Sequence, residues 1–138
     1  MTVILSDVRS FSPEPGSVSD ARRWLRDVTQ PCLSEDEVDD LVLAGSELVT
    51  NALLHGQGDI EVKVVCEDST FHLEVVDGAP WDSERVQPSS GSVLTGGGRG
   101  LTIVATLASS WGVTSRESVG GKLVWVTFDR PKRGTITE

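Results

Sequence analysis

The sequence predicts an α/β fold: a two-layer sandwich of three helices and one mixed, mostly antiparallel sheet. Two observations lead to this prediction. Three segments repeat apolar residues at the period of a helix, and five short segments favour strands, two of them by alternation of apolar and polar residues. The predicted order is β-α-α-β-β-loop-α-β-β, with no internal repeat.

The first two elements are a short strand and an amphipathic helix. Apolar residues between Val3 and Val8 allow the strand, and the Pro- and Gly-containing segment 12–16 ends it. Apolar residues then recur at helical spacing from Ser17 or Ser19, and Pro31 stops the pattern. This predicts a first helix of about three turns.

The second helix has recognisable signals at both ends. Ser34 and Glu37 have the spacing of a capping box, in which each side chain satisfies a backbone donor at the helix start. A continuous apolar stripe follows, and Gly56 and Gly58 end it. We therefore expect a helix from about residue 35 to residue 55.

Alternating residues in segments 60–64 and 71–75 predict an antiparallel strand pair, with a turn at Asp68 and Ser69. The following stretch, Gly78 to Gly100, is rich in Gly, Pro and Ser and is too long for a routine connection. We interpret it as a functional loop, a lid over a site.

The last elements are a helix beginning beside Gly100 and two strands, 111–116 and 122–128, joined through Gly120 and Gly121. The second of these strands is apolar on both faces, which indicates an interior strand. Four aromatic residues are expected in the core: Phe71, Trp111, Trp125 and Phe128.

Length and charge limit the class of protein. The 138 residues suit one domain, which we expect to span 1–130, with a disordered tail at 131–138. The net charge of −9 argues against a nucleic-acid-binding surface, because phosphate backbones require clustered Lys and Arg. It does not exclude nucleotide binding, since a divalent cation and backbone N–H groups can neutralise a triphosphate.

Cysteine usage and hydropathy indicate a cytoplasmic protein without a membrane association. Cys32 and Cys66 lack the spacing of a metal site and are best interpreted as packing residues. No apolar stretch approaches the ~18 residues of a membrane span, and the N-terminus does not resemble a signal peptide.

The second predicted helix places two polar side chains on one face. Glu47 and Asn51 differ by about 40° around the helix. A carboxamide oxygen is a suitable ligand for Mg²⁺, and a nearby carboxylate can orient or deprotonate a nucleophile. A solvated helix face is the competing interpretation, although Leu43 and Leu54 on the same side indicate that something covers this face.

Asp77 is a candidate ligand-binding residue between two glycine-containing segments. It ends an apolar strand and precedes Gly78, so we expect its carboxylate at a rim rather than in the core. Two interpretations remain open: an Asp-Gly turn, or an acceptor for the exocyclic amino group of adenine.

A glycine-rich loop precedes the third helix. Gly96, Gly98 and Gly100 lead into Leu101, and backbone N–H groups of such a loop can bind an anion together with the helix N-terminus. The spacing fits neither the dinucleotide-binding fingerprint nor a Walker loop. A flexible linker is the alternative, and Arg99 either contacts phosphate or stays solvated.

Taken in order, these motifs resemble those of the GHKL ATPase and kinase superfamily, and within it the bacterial anti-sigma-factor serine kinases. The resemblance covers about residues 17–128. The matching motifs, in chain order, are the N box from Glu47 to Asn51, the first glycine box at Asp77-Gly78, the lid-flanking glycine box from Gly96 to Leu101, and the last glycine box at Gly120-Gly121.

The resemblance implies a Bergerat-type sandwich, which agrees with the element order. It implies that Glu47 is the general base and that Asn51 binds Mg²⁺. Such kinases bind a sigma factor, phosphorylate a serine on an antagonist protein and commonly form homodimers. ATP or ADP would contact Asn51, Asp77, Gly78, Gly96, Gly98, Arg99, Gly100 and Leu101.

Two departures from the family pattern leave a second function open. Ala79 and Trp81 stand where the first glycine box usually has glycine, and Lys122 stands where threonine often follows the last glycine. The first hypothesis is an ATP- and Mg²⁺-dependent protein serine kinase that acts as an anti-sigma factor. The alternative is a non-catalytic nucleotide-binding module that acts by binding a partner.

Overall fold

A computed structural model of the chain describes residues 2–79, 100–116 and 120–130, and it confirms the predicted order of elements. The second helix has the predicted bounds, whereas the first strand extends further than predicted. The elements are β1 (Val3–Phe11), α1 (Gly16–Thr29), α2 (Glu35–His55), β2 (Ile60–Glu67), β3 (Thr70–Asp77), α3 (Gly100–Leu107), β4 (Ser110–Ser115) and β5 (Lys122–Asp129). Residues 80–99 of the predicted lid and the predicted disordered tail lie outside the described residues.

The five described strands form one sheet in the order β1-β2-β3-β5-β4. The combination of this sheet with three helices confirms the α/β fold class. Each neighbouring pair of strands is antiparallel, so the described sheet contains no parallel pair. β5 lies between β3 and β4, which confirms the interior position predicted from its apolar faces.

The core lies between one face of the sheet and the helices. α2 packs against α1, β2, β3 and α3, so it has protein on more than one side. The largest fully buried side chains come from both layers: Leu25, Val38, Leu41, Leu48, Val49, Ile60, Val62, Val64, Phe71, Leu73 and Val75.

The aromatic residues divide between the two faces of the sheet. Phe71 and Phe128 stack in the core with ring centroids 4.6 Å apart, as predicted. Trp111 is partly buried against the core. The prediction was wrong for Trp125, because it alternates with the inward-facing Val124 and Val126 and stacks on His72 on the opposite face.

The start of α2 is joined to the residue that follows β5. The predicted capping box is present, with Glu37 N–H donating to Ser34 Oγ and Ser34 N–H donating to Glu37 Oε1. The buried Arg130 guanidinium donates to both Glu37 carboxylate oxygens and to the carbonyls of Glu67 and Cys32. Burial alone would raise the pKa of Glu37, but the Ser34 N–H and Arg130 outweigh it and lower that pKa.

Both cysteines are free thiols at the same end of the core. Burial, together with a hydrogen bond to Cys32, raises the pKa of the Cys66 thiol to about 12. Cys66 is therefore protonated at neutral pH, and this agrees with a packing role.

Among the helices described, none combines the length and the apolar character needed to cross a membrane.

Candidate functional site

Asn51 and Glu47 lie on α2 as the helical spacing predicted, but their environments differ. Asn51 is 5% exposed, whereas Glu47 is partly exposed. The interpretation as a solvated helix face is therefore wrong for Asn51. We expected other parts of the protein to cover this side of α2. The described residues cover it only in part, because Leu43 and Leu54 are exposed.

Within the described ranges, Asn51 Nδ2 is the buried side-chain polar atom without a hydrogen-bond partner. Leaving such a donor unpaired costs about 1–3 kcal/mol. A bound anion would remove this cost, since a phosphate oxygen accepts hydrogen bonds.

The Asn51 carboxamide also fits the magnesium ion that the family implies. Rotation of the carboxamide by 180° exchanges its nitrogen and oxygen, so the same position can present an oxygen ligand. Mg²⁺ favours oxygen ligands and usually retains several waters while sharing phosphate oxygens, so one side-chain oxygen is a sufficient protein contribution.

Asp77 lies in the interior, so the prediction of a carboxylate at the rim was wrong. The residue is 3% exposed, and Lys122 Nζ donates to its Oδ2 over 2.6 Å. The reason is the strand register: Asp77 on β3 pairs directly with Lys122 on β5, and both side chains point to the helix side of the sheet. Lys122 is itself 3% exposed, so the two groups form a buried ion pair.

The turn after Asp77 uses the other oxygen of the same carboxylate. Ala79 N–H donates to Asp77 Oδ1 over 2.8 Å, which is the side-chain-to-backbone bond of an Asx turn. Gly78 N–H donates to the carbonyl of Gln57 over 2.7 Å and ties this turn to the end of α2. The turn interpretation of Asp77 is therefore correct, and it leaves lone pairs on both carboxylate oxygens.

Two glycines allow the backbone to pass close to Asp77. A Cβ at Gly56, the residue after α2, would lie 2.6 Å from the Asp77 carboxyl carbon. Gly121 has φ +97°, and a Cβ there would collide with the Asp77 backbone oxygen. The residue after α2 thus lies close to the Asp77 carboxylate, and the residue before β5 lies close to the Asp77 backbone.

Replacing Gly121 with alanine should lower the free energy of unfolding by about 2–5 kcal/mol. The left-handed backbone contributes about 1–2 kcal/mol of this cost, and the collision with Asp77 adds about 1–3 kcal/mol. Gly120→Ala is the matched control, because Gly120 has φ +80° but nothing within 4 Å of its Cβ position. Urea denaturation of both variants measures the difference, and equal costs would contradict the close contact at Gly121.

The glycine-rich loop is only partly described. Gly100 begins α3, which confirms the helix predicted beside it, and Leu101 follows within that helix. Gly96, Gly98, Arg99 and the departure at Trp81 lie outside the described residues.

Sequence reasoning missed the partner of Asp77. Lys122 stood out as a departure from a motif, but the two residues are separated by 45 positions, and no local pattern joins them. One signal was available: a predicted strand ends at Asp77 and another begins at Lys122, and pairing these two strands brings the residues together.

A cleft of about 330 Å³ opens on the helix-free face of the sheet, beside the same turn. Its lining includes Asp59 and Glu61, whose carboxylates repel an anionic ligand, with Arg116 as a nearby cation. Its walls include Asp77 and Gly78 but not Asn51 or Lys122, so the cleft adjoins the candidate site without containing all of its residues.

The chain is similar to known proteins in both sequence and fold. Residues 11–128 match the family model described as "Histidine kinase-like ATPase domain". The chain is 31% identical over 98 residues to the anti-sigma F factor of Clostridium acetobutylicum. The aligned region covers 64% of this chain and 68% of that relative.

The fold is similar to the crystal structure of the RsbU and RsbW domains of a Mycobacterium tuberculosis protein. The TM-score is 0.68 at 20% sequence identity, and the match covers 96% of this chain and 35% of the other. The present chain therefore spans about a third of that protein's solved chain, and the likeness at this identity concerns the fold alone.

Proposed function

Because this chain belongs to the histidine kinase-like ATPase domain family, we propose that it is a GHKL anti-sigma factor with protein serine kinase activity. It would bind ATP and Mg²⁺, sequester a sigma factor and phosphorylate a serine of an antagonist protein. Residues 1–130 would form a single ATP-binding domain. The name of the Clostridium acetobutylicum relative supports the anti-sigma assignment.

The observation that carries nucleotide binding is the unpartnered, buried carboxamide of Asn51. A buried polar group without a partner is rare in folded proteins and calls for a ligand, a water or an ion. Here it lies on α2, whose following residue Gly56 lies against Asp77, and five residues of helix rise about 7.5 Å. The Asp77 carboxylate, an acceptor for the base, and the Asn51 carboxamide, a donor for a phosphate, therefore lie on the same side of the fold.

Each residue has a distinct role in this proposal. Asp77 accepts from the adenine amino group, and Asn51 would hold Mg²⁺. When bound, Mg²⁺ would neutralise charge on the phosphates. Gly78, Gly96, Gly98, Arg99, Gly100 and Leu101 would contact the nucleotide.

Glu47 is the proposed general base. The serine oxygen of the antagonist attacks the γ-phosphorus, and the bond from that phosphorus to the β–γ bridging oxygen breaks. Glu47 takes the serine proton, and ADP leaves. Its partial exposure leaves the carboxylate accessible to a protein substrate.

Replacing Asn51 with leucine, which has nearly the same shape, tests the nucleotide site. We expect ATP affinity to fall by at least about 10-fold, because a hydrogen bond or metal contact to a charged phosphate is lost. The free energy of unfolding without nucleotide should stay equal or rise by about 1 kcal/mol, because an unsatisfied donor is removed.

Calorimetric ATP titration and urea denaturation measure these two effects. Thr50→Val is the control, because the Thr50 hydroxyl donates to the Ser46 carbonyl within the helix. A structural role for Asn51 would instead appear as lower stability with unchanged affinity.

A second candidate function is a nucleotide-binding regulator that acts by binding a partner without phosphotransfer. The Asp77–Lys122 ion pair favours it, because an ammonium group occupies one lone pair of the base acceptor. Burial of Ala79, at a position where the family has glycine, also changes this wall. Such a protein would bind ATP but label no antagonist.

The free edge of the sheet supports a homodimer. Among the described strands, β1 has a neighbour on one side only, and an open strand edge is a template for pairing with another strand. Val3, Ile4 and Val8 on this strand are exposed.

A further inference from the structure

The Asp77–Lys122 pair places a hydrogen-bond acceptor and a donor side by side in the candidate site. Among the described residues, the Asp77 carboxylate accepts from Lys122 Nζ and from Ala79 N–H, which leaves two of its roughly four lone-pair sites. The Lys122 ammonium has three N–H groups, and Asp77 is its acceptor among the described residues.

Both side chains are removed from solvent, with 2% of Asp77 and 4% of Lys122 exposed. An ammonium group hidden from water loses hydration at each N–H that finds no acceptor, so a second acceptor on a ligand would be favourable. Because Lys122 and Asp77 are directly opposite in the strand register, a group that reaches one of them also approaches the other.

The edge of adenine matches this arrangement. Its 6-amino group is a donor, and its adjacent ring nitrogen N1 is an acceptor. The threonine common at this position in the family carries a single neutral hydroxyl, whereas Lys122 supplies a charged donor. Charged donors make the stronger hydrogen bonds.

We propose that Lys122 is a specificity-determining residue that donates a hydrogen bond to adenine N1 while Asp77 accepts one from the 6-amino group. The inference rests on the proposed function, because it requires ATP in this site. The hydrogen bond from Lys122 is a second direct contact to the base beside that of Asp77, so the ion pair has a role in binding the ligand.

The experiment compares ATP with 1-deaza-ATP, in which a C–H group replaces N1 and the amino group is retained. Calorimetry with the wild-type protein should show about 10- to 100-fold weaker binding of 1-deaza-ATP. In Lys122→Met the two nucleotides should bind with equal affinity, because no donor faces position 1.

A second measurement needs only the wild-type protein. The sequence has three lysines, and a buried ammonium gives a Nζ resonance separate from those of exposed lysines. In ¹⁵N-lysine NMR the Lys122 Nζ signal should shift on addition of ATP and should shift much less with 1-deaza-ATP. Lys63, which is not buried, serves as the internal reference.

Three results would overturn the inference alone: equal wild-type affinity for the two nucleotides, an affinity difference that persists in Lys122→Met, or tighter binding of GTP than of ATP. The last would mean that the pair recognises a 6-oxopurine. If the wild-type protein binds neither ATP nor ADP, the proposed function fails, and this inference fails with it.

Discussion

Replacing Glu47 with glutamine is expected to slow phosphate transfer to the antagonist by about 10²–10⁴-fold, the usual contribution of a general base. Glutamine keeps the size and the hydrogen-bonding oxygen of the side chain but cannot take the serine proton. ATP affinity should stay within about two-fold, because the general base contacts the protein substrate rather than the adenine. Transfer of the labelled γ-phosphate to a purified antagonist, measured in a single turnover, gives the rate.

The control for this experiment is a carboxylate elsewhere on the same helix. Asp39 lies on the exposed surface of α2, where it pairs with Arg26, and Asp39→Asn should leave the transfer rate unchanged. Equal rates for wild type and Glu47→Gln would remove Glu47 from catalysis. Nucleotide binding without any transfer by the wild type would select the regulator over the kinase.

Breaking the Asp77–Lys122 pair is expected to have the largest effect on stability. Lys122→Met leaves the Asp77 carboxylate buried without its cation, and such uncompensated charges cost about 3–5 kcal/mol. Asp77→Leu should cost a similar amount by leaving the ammonium unpaired. The double variant, with two apolar residues facing each other, should be more stable than either single variant.

Urea denaturation of the four proteins without nucleotide forms a double-mutant cycle. The exposed pair of Arg26 and Asp39 is the matched control, since its two side chains are 42% and 58% exposed and it should contribute less than about 1 kcal/mol. Costs that simply add at Asp77 and Lys122 would show that the two groups do not stabilise one another.

The order of elements could be predicted because its signals are local. The capping box at Ser34 and Glu37, the apolar stripe of α2 and the alternation in β2 and β3 each occupy a few neighbouring residues. The family resemblance, which depended on the order of such motifs, is confirmed by the match over residues 11–128.

The environments of the site residues depended on distant parts of the chain. Asn51 lies away from the main apolar stripe of α2, so periodicity alone did not predict its burial; protein packs on more than one side of this helix. Asp77 is buried because β5 brings Lys122 opposite to it. Arg130 joins three segments that precede it by at least 63 positions, and no local signal marks such a residue.

The position of β5 has a consequence for the synthesis of the protein. β5 is the last strand of the described chain, yet it separates β3 from β4 in the sheet. A nascent chain that has not yet released residues 122–129 from the ribosome must therefore hold β3 and β4 with unpaired edges. Because Lys122 arrives on this same strand, the carboxylate of Asp77 acquires its cation only after residue 122 has left the ribosome, 45 residues after Asp77 itself.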